Sequence, residues 1–314
     1  MDATELLDPS YRFLLDEPAS HWTPGTLADI RHRVSRGYKS AQAARCEVKW
    51  TTDSPEPSGV RLCLYRPDST AEHQALAPLL YIHGGGFVLG CPEMVDDYLA
   101  DLANTLKIAI VAVDYRLAPE HPFPAPLQDC YTALEWMEHN SKPFGLDMSR
   151  LVVMGHSAGA GLAAALAIAV RDRQHHSMAG LVLIYPMLDH RTGSSSAPVD
   201  NPTGGQIGWG RQANQFCWQC MQGSYALDDE RAPLFSPALA PDLQGLPPSF
   251  ICVGALDLFL EEDVDFALKL SRSGVPVELH VYPGVPHMFD QYPGALTERC
   301  HADVVSALRR LCTL

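Results

Sequence analysis

Apolar residues run along this chain in short blocks, set between longer stretches whose spacing is helical. Leu79 to His83, Ile108 to Asp114, Leu151 to Met154, Leu181 to Tyr185, Phe250 to Val253 and Val277 to Tyr282 have the length and the β-branched content of buried strands. Strands that alternate with helices predict an α/β fold with a mostly parallel sheet. Two earlier runs, Val48 to Thr52 and Val60 to Tyr65, flank the turn-rich segment Asp53 to Gly59 and predict an antiparallel entry into the same sheet.

Two regions break the alternation: residues 1–46 and residues 187–232. They read as additions to a sheet domain made of residues 47–186 and 233–314. The later one carries Trp209, Phe216, Trp218, Met221 and Tyr225, a composition that suits core packing or a lid over a pocket.

Composition narrows the classes of function. The chain has 314 residues and a formal net charge of −14, from 23 Lys plus Arg against 37 Asp plus Glu. Counterion release on nucleic acid and attraction to anionic lipid both need clustered positive charge, so neither partner is expected. The start, MDATELLDPS, has no cationic segment ahead of an apolar one, and the longest apolar run, Ala158 to Val170, is too short to span a bilayer. The expectation is a cytoplasmic protein. Nine scattered cysteines read as free thiols, and Cys217-Trp-Gln-Cys220 lacks the second ligand pair that a zinc site requires.

The candidate chemistry begins at YIHGGGF, residues 81–87, where three glycines follow a strand. Bare backbone lets a guest approach main-chain NH groups closely. Farther on, the strand ending at Met154 runs into Gly155-His-Ser-Ala-Gly159 and then into an Ala-rich helical stretch. At a sharp strand-to-helix turn, glycines two residues to either side of Ser157 relieve crowding and push the serine oxygen outward, so Ser157 is the candidate nucleophile. The helix that follows points its NH end, starting at Ala158, toward the site.

A serine hydroxyl needs a base, and the base needs an acid to hold it. Among 13 histidines, His287 follows a strand, and Asp257 follows the preceding one. Both positions lie at the carboxyl edge of the sheet, in the order Ser, acid, His that such elbows require. His280 lies within a strand and reads as a face residue, His156 reads as packing of the elbow, and Asp263 and Asp265 read as solvated charges on a helix. Attack by Ser157 on an ester carbonyl leaves charge on oxygen, and the glycine NH groups beside that of Ala158 are the donors expected to meet it.

His83-Gly-Gly-Gly-Phe87, the stretch Asp114 to Pro126 (DYRLAPEHPFPAP), Gly155-His-Ser-Ala-Gly159, Asp257 and His287, in this order, resemble the hormone-sensitive lipase family of α/β hydrolases, in particular its bacterial carboxylesterases. The resemblance covers residues 45–314. It implies an α/β-hydrolase fold with an eight-stranded sheet, a Ser157–His287–Asp257 triad, and an oxyanion hole made by Gly85, Gly86 and Ala158. His83 and Gly84 would support the glycine loop, and residues 1–46 and 187–232 would form a helical cap. The residue before the nucleophile, usually Asp or Thr in that family, is His156 here, and Leu258-Phe-Leu-Glu-Glu262 replaces a common Asp-Glu pair.

The expected function is therefore a serine carboxylesterase for short- to medium-chain esters, with no cofactor and no metal. Its partner would be a small-molecule ester, and a homodimer is compatible with the sequence. Amide cleavage or acyl transfer on the same triad is an alternative, as is a ligand-binding protein on the same scaffold. The family includes a plant hormone receptor that has lost the histidine, and His287 argues against that reading here.

Overall fold

A computed structural model describes residues 2–17, 20–38, 44–52, 59–69 and 75–312. Among them, eight strands form one sheet: β1 (Glu47–Trp50), β2 (Arg61–Tyr65), β3 (Pro78–Ile82), β4 (Ala109–Asp114), β5 (Val152–His156), β6 (Gly180–Ile184), β7 (Ser249–Gly254) and β8 (Val277–Tyr282). The order across the sheet is β1-β2-β4-β3-β5-β6-β7-β8. β2 pairs antiparallel with β1 and β4, and every other neighbouring pair is parallel. Each strand read from the sequence is present to within two residues. Most of the expected turn between β1 and β2, residues 53–58, lies outside the described residues.

The central strands read as unbroken apolar runs because helices cover both faces, and strand alternation sorts their side chains into two cores. Leu80, Ile82, Val111, Val113, Val153, Leu181, Leu183 and Ile251 face one core. Helices α3 (Ala125–His139), α4 (Ala158–Arg173) and α7 (Leu260–Arg272) pack on it. Leu79, Tyr81, Ile110, Ala112, Val152, Met154, Val182, Ile184 and Phe250 face the other core. There they meet α2 (Asp96–Leu106) and α8 (Ala295–Cys312).

The two regions outside the alternation add residues to these cores. Leu7, Tyr11 and Leu14, around the 3-10 segment Pro9–Asp16, pack with the α8 side. Trp22 and the residues Leu27 and Ile30 join the opposite core. Leu27 and Ile30 belong to the short helix α1 (Leu27–Ser35). That core also takes Ala213, Phe216, Cys217, Trp218 and Met221 from the helix α5 (Arg211–Gln222) and Phe235 from the short helix α6 (Ala232–Phe235).

One expectation about charge is corrected. Asp265 is exposed, but Asp263 is 0% exposed, and among the described residues neither of its carboxyl oxygens has a hydrogen-bond partner. Burial, then the charges of Glu262 and Asp257, push its pKa well above the ordinary range. No helix among the described residues is long and apolar enough to cross a membrane.

Candidate active site

The turn at Ser157 is built by close approach of three backbones. A Cβ added at Gly159 would lie 2.2 Å from the carbonyl oxygen of Ile82, and one at Gly155 would lie 2.4 Å from Gly159 itself. Only hydrogen fits at either position, so β3, β5 and the start of α4 meet at one point. Ser157 itself sits at φ 54°, ψ −121°. A non-glycine residue there costs about 1–3 kcal/mol and is held only when its surroundings over-determine it. Ser157 N donates to Ile184 O at 2.9 Å, and Ser157 O accepts from Gly161 N at 3.0 Å and Met187 N at 3.1 Å.

Ser157 Oγ lies 2.9 Å from His287 Nε2, and His287 Nδ1 lies 2.7 Å from Asp257 Oδ2. A carboxylate only accepts, so the imidazole carries its proton on Nδ1 and leaves Nε2 free to accept from the serine hydroxyl. Asp257 Oδ1 also accepts from Phe259 N at 2.9 Å. All three side chains are buried. The three residues proposed from the sequence, separated by 100 and then 30 positions, thus form one hydrogen-bonded line.

Beside the serine, the glycine loop turns back on itself, with Val88 N and Leu89 N donating to Gly85 O at 3.1 Å each. Among the described residues, the NH groups of Gly85, Gly86 and Ala158 have no protein acceptor. Gly86 sits at φ +59°, and a Cβ there would lie 2.8 Å from Cys217 Sγ and 2.9 Å from Trp209 Cη2. A Cβ at Gly84 would come within 3.4 Å of Ser157 Cβ. His83 underpins the loop: its Nδ1 lies 2.8 Å from Gly84 O, its ring stacks on Tyr115 at 4.1 Å, and the Tyr115 hydroxyl donates to His83 O at 3.0 Å. Burial lowers the His83 pKa, which favours the neutral ring.

The other candidates fall elsewhere. His280 bonds Glu278 at 2.8 Å and Asp303 at 3.0 Å, away from the serine. Cys217 is buried against Gly86, and all nine cysteines are free of disulfides. His156 is buried at the elbow as expected, but with partners that sequence reasoning missed: Tyr81, Tyr185 and Asp290. Glu262 was also missed. It accepts from Leu188 N at 2.6 Å and from the Thr192 hydroxyl, which ties α7 to the segment after β6.

Sheet order, elbow and glycine loop together define an α/β hydrolase. A family model described as the alpha/beta hydrolase fold matches residues 79–291, and the chain belongs to that family. The resemblance to the hormone-sensitive lipase group stands with it. Esterase LipI of Mycobacterium tuberculosis is 34% identical over 266 residues, 82% of this chain and 80% of that protein. Ethyl acetate hydrolase of Pseudomonas putida is 32% identical over 251 residues, 79% of this chain and 76% of that one. Among solved structures, a bacterial heroin esterase superposes with a TM-score of 0.86 at 31% identity, over 98% of this chain and 99% of its own.

Proposed function

We propose that this chain, a carboxylic ester hydrolase like its relatives, works through Ser157, His287 and Asp257 as a triad. The observation that carries the reading is the continuous line Ser157–His287–Asp257 set beside three unpaired NH groups. His287 Nε2 takes the proton as Ser157 Oγ attacks the ester carbonyl carbon. The oxygen that becomes negative is met by the NH groups of Gly85, Gly86 and Ala158, each such donor contributing about 3–4 kcal/mol to the transition state. The tetrahedral species collapses, the alkoxide leaves with the proton from His287, and an acyl-serine remains. Water then repeats the sequence, deprotonated by His287, and releases the acid. Asp257 keeps the proton on Nδ1 and balances the imidazolium formed in each half.

The described residues of the segment 1–46, together with residues 187–232, serve as the cap over this site, and their aromatic residues limit the space for the acyl group. Esters of short- to medium-chain acids are the substrates that fit. The test is labelling by a fluorophosphonate: Ser157→Ala should abolish it with the fold intact. His287→Gln should lose nearly all turnover while His280→Gln keeps most of it. Labelling retained in Ser157→Ala, or the reverse order of the two histidines, overturns the reading.

A further inference from the structure

One hydrogen bond to Asp257 fixes the direction of the His287 Nδ1–H bond but leaves the ring free to rock about that axis. Tyr185, 4.5 Å away at 66°, and Phe259, 5.0 Å away at 88°, are the rings nearest to it, with Trp209 farther off at 6.0 Å, and they limit the rocking. Phe259 is held by its place beside Asp257. Tyr185 is held by its hydroxyl, which donates to Asp290 Oδ1 at 2.7 Å. Asp290 Oδ2 in turn lies 3.4 Å from His156 Nε2. With the His156 proton on Nε2, Nδ1 accepts from the Tyr81 hydroxyl at 3.1 Å. His156 is covalently next to Ser157, so the contacts close a ring: Ser157, His156, Asp290, Tyr185, His287 and back to Ser157.

We propose that Asp290, acting through Tyr185 on one side and His156 on the other, is the positioning residue that sets the plane of the His287 imidazole against Ser157. This rests on the triad reading above and adds a second buried carboxylate to it. Asp290 is ionised in that role: burial works against its charge, but His156 and the Tyr185 hydroxyl hold its pKa below the ordinary value. It also borders a cavity of about 460 Å³ shared with His156, Tyr98 and His301. Tyr185 carries a positive φ of 37°, a backbone conformation held only because its neighbours demand it.

The test uses Tyr185→Phe, which keeps the ring and removes the tether, and Asp290→Asn, which keeps the shape and removes the charge. Each should lower kcat about 5- to 20-fold with KM changed less than about twofold, the signature of misplaced reacting groups. The double variant should be no worse than the poorer single one, because both act along one path. The downfield proton resonance of His287 Nδ1–H should shift in each folded variant, which a loss of stability alone does not produce. Wild-type kcat in folded Tyr185→Phe, additive losses, or an unmoved resonance overturns the proposal. If Asp290→Asn does not fold, Tyr185→Phe and its resonance decide alone. Failure here with Ser157 still labelled removes only this inference, whereas an unlabelled Ser157 removes the triad reading and this with it.

Discussion

Gly86 shows how one missing atom shapes the site. It sits at positive φ with Cys217 and Trp209 atoms packed where a Cβ would stand, and among the described residues its NH has no protein acceptor. Gly86→Ala should therefore lower kcat/KM by about 100-fold or more, with an unchanged circular dichroism spectrum; a near-normal rate would mean that this NH meets no oxyanion. Asp263 raises the opposite issue, a polar group with nothing to bind. Its pKa is raised on folding, so above the ordinary carboxyl pKa the unfolded state releases a proton that the folded state keeps, and stability falls as pH rises. Asp263→Asn removes that loss. It should raise Tm by several degrees at pH 7 and leave it unchanged near pH ~2.5, well below the ordinary carboxyl pKa, where the acid is protonated in both states. A gain of equal size at both pH values would show that ionisation is not the cause.

At the scale of elements, the helix Arg211–Gln222 and the loop before it pack beside Gly86 and His287 at the carboxyl edge of the sheet. Trp209 lies 6.0 Å from the His287 ring and is held edge-on by Trp22 at 5.4 Å. Trp22 is clamped in turn by Gln212, whose side chain accepts from Trp22 N at 3.1 Å and donates to Trp22 O at 2.5 Å. A wall fixed at three points cannot yield to a long acyl chain. Each buried methylene gains about 0.8 kcal/mol only until the space is full. Aryl acetate to hexanoate should thus outrun laurate in kcat/KM, and Trp209→Ala should raise the laurate-to-butyrate ratio about tenfold or more. An unchanged ratio would place the acyl group elsewhere.

For the whole molecule, residues 2–17 and 20–38 reach both faces of the sheet as a strap. Leu7 and Tyr11 enter the core on the α8 side, where the Tyr11 hydroxyl meets Thr297 Oγ1 at 2.9 Å. Trp22, Leu27 and Ile30 enter the opposite core. Arg31 reaches Val88 O at 2.6 Å and Ala118 O at 2.8 Å and pairs with Glu120 at 2.7 Å, which draws the strap to the glycine loop. Deleting residues 2–38 should lower Tm by about 10 °C or more and abolish esterase activity, because buried apolar area is lost from two cores at once. A truncated chain that melts normally and turns over substrate would show the strap to be dispensable.

The strands, the elbow and the glycine loop are local features, and the sequence by itself determined them. A buried parallel strand must be an apolar run, and a sharp turn before a helix must have small residues at set spacings around the serine. Asp257 and His287 could be singled out for the same reason, since each follows a recognisable strand. Asp263 carried a readable signal too: it shares the helical face of Phe266, Ala267 and Leu270, which are buried. Its charge suggested solvent, and the packing of α7 overrode that preference. The ring of contacts through Asp290 had no such signal. Tyr185 and Asp290 are 105 positions apart, and Tyr81 and His156 are 75. Sequence spacing carries no distance between the ends of different strands; the order in which β3, β5 and β6 lie side by side gathers Tyr81, His156 and Tyr185, and the segment Phe289–Gln291 after β8 brings Asp290 to them.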